Sequence, residues 1–309
     1  MSEILTVIAP LFILIFASAF LQKFKNIGDD WPKVLNEFSL KIGFPVLIFS
    51  ALSKAPFSFS DQAQLIGANS LFILLSFVSA IVIGKIFRLK KQMFLTLFIC
   101  FVFGNVAYLG IPVLTQIEGE QILPTASLIV AIYLFWMFTI GISYLDYSVE
   151  KNKRAVASNI LKNLFKNPLL IAVILGIAVG TLHITLPSIL LKSLDMVTAS
   201  VTPTVLIVIG LFIGKSKIGR IQDWFPVTLF TILTLVLLPA AFYFGVELFG
   251  YTPNQFSSSI IQAAMPLAIT PFALADKYSL NKDFIARSIV LSTIFSVISL
   301  PLWISFLSK

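Results

Sequence analysis

Two stretches of the sequence concentrate residues able to hold a ligand without carrying charge. The first, GNVAYLGIPVL, places Gly104, Asn105, Gly110 and Pro112 within an uncharged apolar run. The second, QAAMPLAITPFALADKY, supplies Gln262, Pro266, Thr270 and Pro271. Each proline removes a helical hydrogen bond and crowds the preceding turn, while glycine lowers the cost of leaving helical geometry. Both stretches are therefore expected to be helices broken partway along. A break exposes the N–H end of one half-helix and the carbonyl end of the other, which together bind small ions without a charged side chain. The amides of Asn105 and Gln262 lie beside these breaks. Ser50, Ser53 and Thr270 are weaker contributors, because hydroxyls in apolar helices often bond to their own backbone. Bond-making chemistry has little to work with: Cys100 and His183 are single, leaving no disulfide, no metal cluster and no histidine-based triad.

The elements that must position these residues follow from composition. The 309 residues are 58% hydrophobic and only 12% charged, against roughly 25% charged in a soluble domain. With a mean hydropathy of +0.98, lipid must be the solvent for much of the surface, and the chain is expected to be an all-α integral membrane protein. A bilayer core needs about 20 apolar residues as helix. Ten such runs occur, at 4–22, 38–53, 62–84, 92–117, 121–145, 167–182, 196–214, 224–246, 257–275 and 288–308. The second is interrupted by Lys41, close enough to its end to snorkel. The first lacks the basic start and small-residue cleavage site of a signal peptide, so it is kept as a span.

Basic residues set the expected orientation. Of the 22 lysines and arginines, 19 fall in or beside the loops that follow odd-numbered runs; only Lys54, Lys192 and Lys309 lie opposite. By the positive-inside bias the 19 are cytoplasmic and both termini are outside. The net charge of +8 is thus spent at lipid headgroups, and its dispersal between apolar runs argues against nucleic acid.

A repeat is also visible. Pro10 and Pro168 are 158 residues apart, as are Pro45 and Pro203, while Pro112 and Pro271 are 159 apart. The offset maps runs one, two and four onto six, seven and nine. Five is odd, so the second unit enters from the opposite side and the repeat is inverted, an architecture common in secondary transporters. The expected division is a first unit at 1–150, a cytoplasmic connecting loop at 151–166 and a second unit at 167–309. The runs carrying the two motifs are expected to cross at their breaks at mid-membrane.

At these motifs the sequence resembles the auxin efflux carrier family, which includes plant auxin carriers and bacterial malate and malonate permeases. The pattern Asn-x4-Gly-Ile-Pro matches at Asn105, Gly110, Ile111 and Pro112. The pattern Gln-Ala-Ala-Leu-Pro-x3-Val-Pro-Phe-x2-Ala matches at Gln262, Ala263, Ala264, Pro266, Pro271, Phe272 and Ala275, with Met265 in place of leucine and Ile269 and Thr270 altered. The resemblance covers nearly the whole chain. It implies scaffold and transport domains built from both repeats, elevator-type movement of an organic anion, and a homodimer. The plant carriers' long central loop is absent: only about twenty residues, 146–166, join the halves.

The leading expectation is a secondary transporter of a small carboxylate, auxin- or malate-like, in the cell (inner) membrane. Its partners are then the small organic anion and the lipid bilayer. Sodium- or proton-coupled symport, or cation antiport on the same fold, stands as the alternative. Against proton coupling, Asp146, Asp195, Glu247 and Asp276 all fall near helix ends. No organic cofactor or metal is called for, although carbonyl and amide oxygens could hold a sodium ion. An enzyme lacks a catalytic cluster.

Overall fold

The computed structural model describes residues 2–25, 27–28, 30–55, 58–149, 164–216 and 224–308. These form twelve helices: α1 (Ser2–Lys25), α2 (Asp30–Ser53), α3 (Phe59–Ile86), α4 (Lys91–Cys100), α5 (Val106–Glu118), α6 (Glu120–Val149), α7 (Pro168–Thr181), α8 (Ser188–Lys215), α9 (Trp224–Leu248), α10 (Ser257–Ala263), α11 (Thr270–Leu274) and α12 (Lys282–Leu307). Among the described residues, α1, α2, α3, α6, α8, α9 and α12 are long and apolar enough to cross a membrane, and α4, α5 and α7 are shorter apolar helices. No strand forms among them. The chain is an all-helical, multi-pass membrane protein. Its outer surface says so directly: Ile13, Phe20, Phe24, Leu75, Ile174, Phe244 and Ile298 are each more than half exposed, a cost in water that lipid removes.

The second run starts earlier than its sequence suggested. Asp30–Phe38 is helical and continues through a π-helical stretch, Ser39–Gly43, into Phe44–Ser53. Lys41 does not interrupt it, because its ammonium pairs with Glu37 one turn back at 3.1 Å. Prolines alone do not break these helices either. Pro10 and Pro203 lie inside α1 and α8, and Pro301 inside α12, without ending them. Most of the 151–166 loop, with Lys151, Lys153, Arg154 and Lys162, lies outside the described residues, as do Lys217, Arg220 and Lys309.

Two glycine pairs, each at four-residue spacing, fix how helices pack. A Cβ at Gly210 would overlap Ser18 Oγ and the Ile15 carbonyl, and one at Gly214 would overlap the Ala19 carbonyl, so α8 lies directly on α1. A Cβ at Gly176 would sit 2.8 Å from Leu52 Cβ, and one at Gly180 only 2.7 Å from the Leu52 and Ala55 carbonyls, so α7 lies on α2. Small residues at this spacing let helix backbones touch where lipid offers no hydrophobic drive to associate.

Candidate functional site

The run at 92–117 is interrupted between Cys100 and Val106, and the run at 257–275 between Ala263 and Thr270. The local reasons differ. In the first, α5 opens as a π-helical turn, Val106–Gly110, before Pro112 enters the first α turn. An α turn there would press the Pro112 ring on the Tyr108 carbonyl; the wider turn relieves this, with the Asn105 carbonyl accepting from Leu109 N–H at 3.2 Å and Gly110 N–H at 2.9 Å. In the second, Pro266 brings no N–H, and Pro271 stands in the opening turn of α11, where a missing N–H costs nothing.

The two interruptions satisfy each other. Asn105 N–H donates to the Pro266 carbonyl at 2.7 Å, and Ala268 N–H donates to the Phe103 carbonyl at 2.8 Å. Gly104 and Leu267 thereby face one another as an antiparallel pair. Ser292 of α12 completes the crossing by accepting Leu267 N–H at its Oγ, 3.1 Å away. Groups that lipid would leave unpaired, at several kcal/mol each, are paired here by main chain.

Side chains gather around this crossing. Asn105 is 3% exposed and Gln262 is fully buried. Gly110 has to be small because a Cβ there would come 3.0 Å from Gln262 Oε1. The Gln262 Nε2 reaches only the Ala126 carbonyl, at 3.5 Å, and its Oε1 has no partner within the protein. Gly104, Asn105, Gly110, Gln262 and Pro266 thus come together, while Pro112 and Pro271, both buried, start the half-helices beyond. Thr270 is exposed at the start of α11. Ser50 is buried on α2. Ser53 does not reach the crossing; its hydroxyl donates to the Ser50 carbonyl at 3.1 Å. The half-helices are unequal. With five residues, α11 carries far less dipole than α5, so the orphan donors at the N-terminus of α5 are the stronger anion attractor.

Two cavities lie at opposite ends of α2 and α8, one touching Ile111 of α5 and the other Ile269 just before α11. One, of about 510 Å³, is lined by Ser50, Lys54, Ile111, Thr115, Glu120 and Asp195, with Lys54 and Asp195 paired at 2.6 Å. The other, of about 710 Å³, is lined by Lys33, Asn36, Ile269, Phe272, Lys282 and Arg287 among others. At its wall, Tyr108 donates its hydroxyl to Asn36 Oδ1 at 2.7 Å, tying α5 to α2. Sequence reasoning missed Ser292, Tyr108 and Asn36. Only Ser292 left a trace, as the middle of the serines 288, 292 and 296, four apart on one helical face.

A many-spanning helical protein whose two interrupted helices bond to each other has the build of a membrane transporter. Residues 3–304 match the membrane transport protein family, and the chain belongs to it; this is the auxin efflux carrier family that the motifs resemble. An uncharacterised transporter of Methanocaldococcus jannaschii is 27% identical over 303 residues, covering 96% of each chain. A candidate malonate transporter of Rhizobium meliloti is 23% identical over 96% of this chain and 93% of its own. Auxin efflux carrier component 8 of Arabidopsis thaliana is 23% identical over 85% of this chain and 86% of its own. The protein is a transporter and not an enzyme.

Proposed function

We propose that the protein is a secondary transporter of a small carboxylate across the cell membrane, working by elevator-type alternating access. The observation that carries this reading is the main-chain crossing at Asn105 and Pro266, with one cavity touching Ile111 beyond it and another touching Ile269. The carboxylate would take the Asn105 amide and the free N–H groups opening α5, with Gly104 and Gly110 allowing close approach and Gln262 behind them. Pro112, Pro266 and Pro271 keep the helices open; Thr270 and Ser50 are outlying contacts, and Ser53 is the least engaged. The named malonate transporter and auxin carrier among the relatives support an organic acid as cargo.

An inverted five-plus-five repeat over ten spans fits this reading, with units 1–150 and 167–309 joined through 151–166 and both termini outside. In repeat terms, α8 on α1 and α7 on α2 are equivalent helix pairs, although both glycine pairs lie on the second unit's helices. The four helices would form the scaffold, at which a homodimer could join, and the crossing would move against it. Cation-coupled symport is the second reading, in which carbonyl and amide oxygens would hold a sodium ion.

Purified protein in liposomes, given radiolabelled malonate, malate and an aromatic acetate with and without sodium or pH gradients, tests both. Saturable carboxylate uptake without either gradient supports the first reading; uptake only with sodium supports the second. Absence of uptake for every acid would overturn both.

A further inference from the structure

Behind the crossing lies a small cavity of about 20 Å³, lined by Cys100, Gly104, Tyr133, Thr234, Gln262 and Met265 together with apolar side chains. That is room for a single water molecule, which requires about 10–15 Å³ and two to four polar partners. Two of the lining residues, Tyr133 and Gln262, carry buried polar atoms with no partner among the described residues, the Tyr133 hydroxyl and Gln262 Oε1. Tyr133 is 3% exposed and Gln262 fully buried, so bulk water does not serve them. A third, Thr234, donates its hydroxyl hydrogen to the Phe230 carbonyl at 3.0 Å and keeps lone pairs to accept with. It stands on the π-helical stretch Leu233–Leu237 of α9.

The three groups complement one another. Tyr133 has a hydrogen to give, while Gln262 Oε1 can only accept and Thr234 Oγ is left as an acceptor. We infer that one structural water occupies this cavity, accepting from Tyr133 and donating to Gln262 and Thr234, and so joins α6, α9 and α10 behind the crossing. No carboxylate lines the cavity, so a bare cation would have only neutral groups to hold it. Tyr133 becomes a positioning residue: through the water it holds the glutamine amide that packs on Gly110. The water site stands on the cavity alone; its consequence for anion binding rests on the transport reading above.

The test uses the full chain in lipid nanodiscs. Tyr133→Phe and Thr234→Val each remove one partner of the water, and the double variant removes both. Thermal midpoints are read for all four proteins, in sodium and in potassium, with no substrate present. Strong non-additivity in the cycle is expected, because both residues act through one molecule, with the same midpoints in either salt. Malonate affinity in Tyr133→Phe should fall roughly fivefold, the size of one neutral hydrogen bond, while turnover at saturation is kept. Additive midpoints would overturn the shared water, and a rise specific to sodium would replace it with a cation. If neither malonate, malate nor an aromatic acetate binds the wild type, the transport reading fails while the midpoint cycle still decides the water.

Discussion

The N–H of Asn105 and the carbonyl of Pro266, 161 positions apart in sequence, meet at 2.7 Å and close the crossing of two interrupted helices. Proline at 266 has no N–H to give, so its carbonyl enters the pair as an acceptor alone. The Asn105 side chain caps no helix, which leaves its amide for a ligand while its backbone holds the fold.

Asn105→Ala therefore separates the two jobs. The main-chain bond survives, and folding and membrane insertion should be near wild type. Loss of a hydrogen bond to a charged group costs about 1.5–3 kcal/mol, or roughly ten- to a hundredfold in affinity. Titrating the variant with malonate checks this hypothesis; wild-type affinity would place the site elsewhere.

Gly110→Ala tests the packing of the glutamine. The added methyl would come 3.0 Å from Gln262 Oε1, so the amide has to give way by a few tenths of an ångström. We expect a lower thermal midpoint and weaker binding. Adding Gln262→Ala should restore the midpoint but not the binding; recovery of both would show that the glutamine has no part in the site.

Orientation can be read with thiol chemistry. Cysteines introduced at Ser2 and Ser308 should react with an impermeant reagent from outside intact cells, and a cysteine at Lys153 only after permeabilisation. Cys100 is buried, so the background is low. Labelling with the opposite pattern reverses the assigned direction of every helix.

Charge movement follows from the lack of a carboxylate at the crossing. Transport of the anion alone carries current, worth about 2.3 kcal/mol per 100 mV for each charge. Currents across a protein-loaded planar bilayer should reverse where voltage balances the carboxylate gradient. A strict demand for a proton gradient, with no current, would contradict this.

One contact should titrate at high pH. Asp146, buried at the end of α6, accepts from Tyr278 Oη at 2.8 Å and from Lys277 Nζ at 3.3 Å. Burial pushes the Tyr278 phenol above its ordinary 10.0, and the carboxylate beside it adds to this while Lys277 opposes it. For Lys277, burial works downward from 10.5, but the bonds to Tyr278 and Asp146 outweigh it and the ammonium titrates higher. Folded-state values raised this way stabilise fully below the ordinary ones, and that contribution is lost as pH climbs through the folded values. The thermal midpoint should be flat from pH 7 to about 9.5 and fall above it, with a shallower fall in Asp146→Asn. Equal slopes in both proteins would remove Asp146 from the linkage.

Both breaks were legible because proline and glycine act locally. Their pairing was not: nothing in the spacing of Phe103–Asn105 points to Pro266–Ala268, and a main-chain contact leaves no residue-type signal. Gln262 reads as a lesser partner by sequence, one turn before Pro266, yet it is buried against Gly110. Tyr133 sits in an apolar run and looks like lipid-facing surface until α9 and α10 close around it. The early start of α2 was hidden by Asp30, Lys33 and Glu37, whose charges end the apolar run at residue 38 while the helix continues through them.

Since backbone atoms close the crossing, the side chains around it are released from holding it together. Apart from Ser292, which accepts from Leu267, substitutions there can change the lining without dismantling the frame, so a lineage built on this plan can change its cargo in single steps. Distant members of such a lineage should keep the prolines and glycines of the two interruptions while their cavity linings diverge.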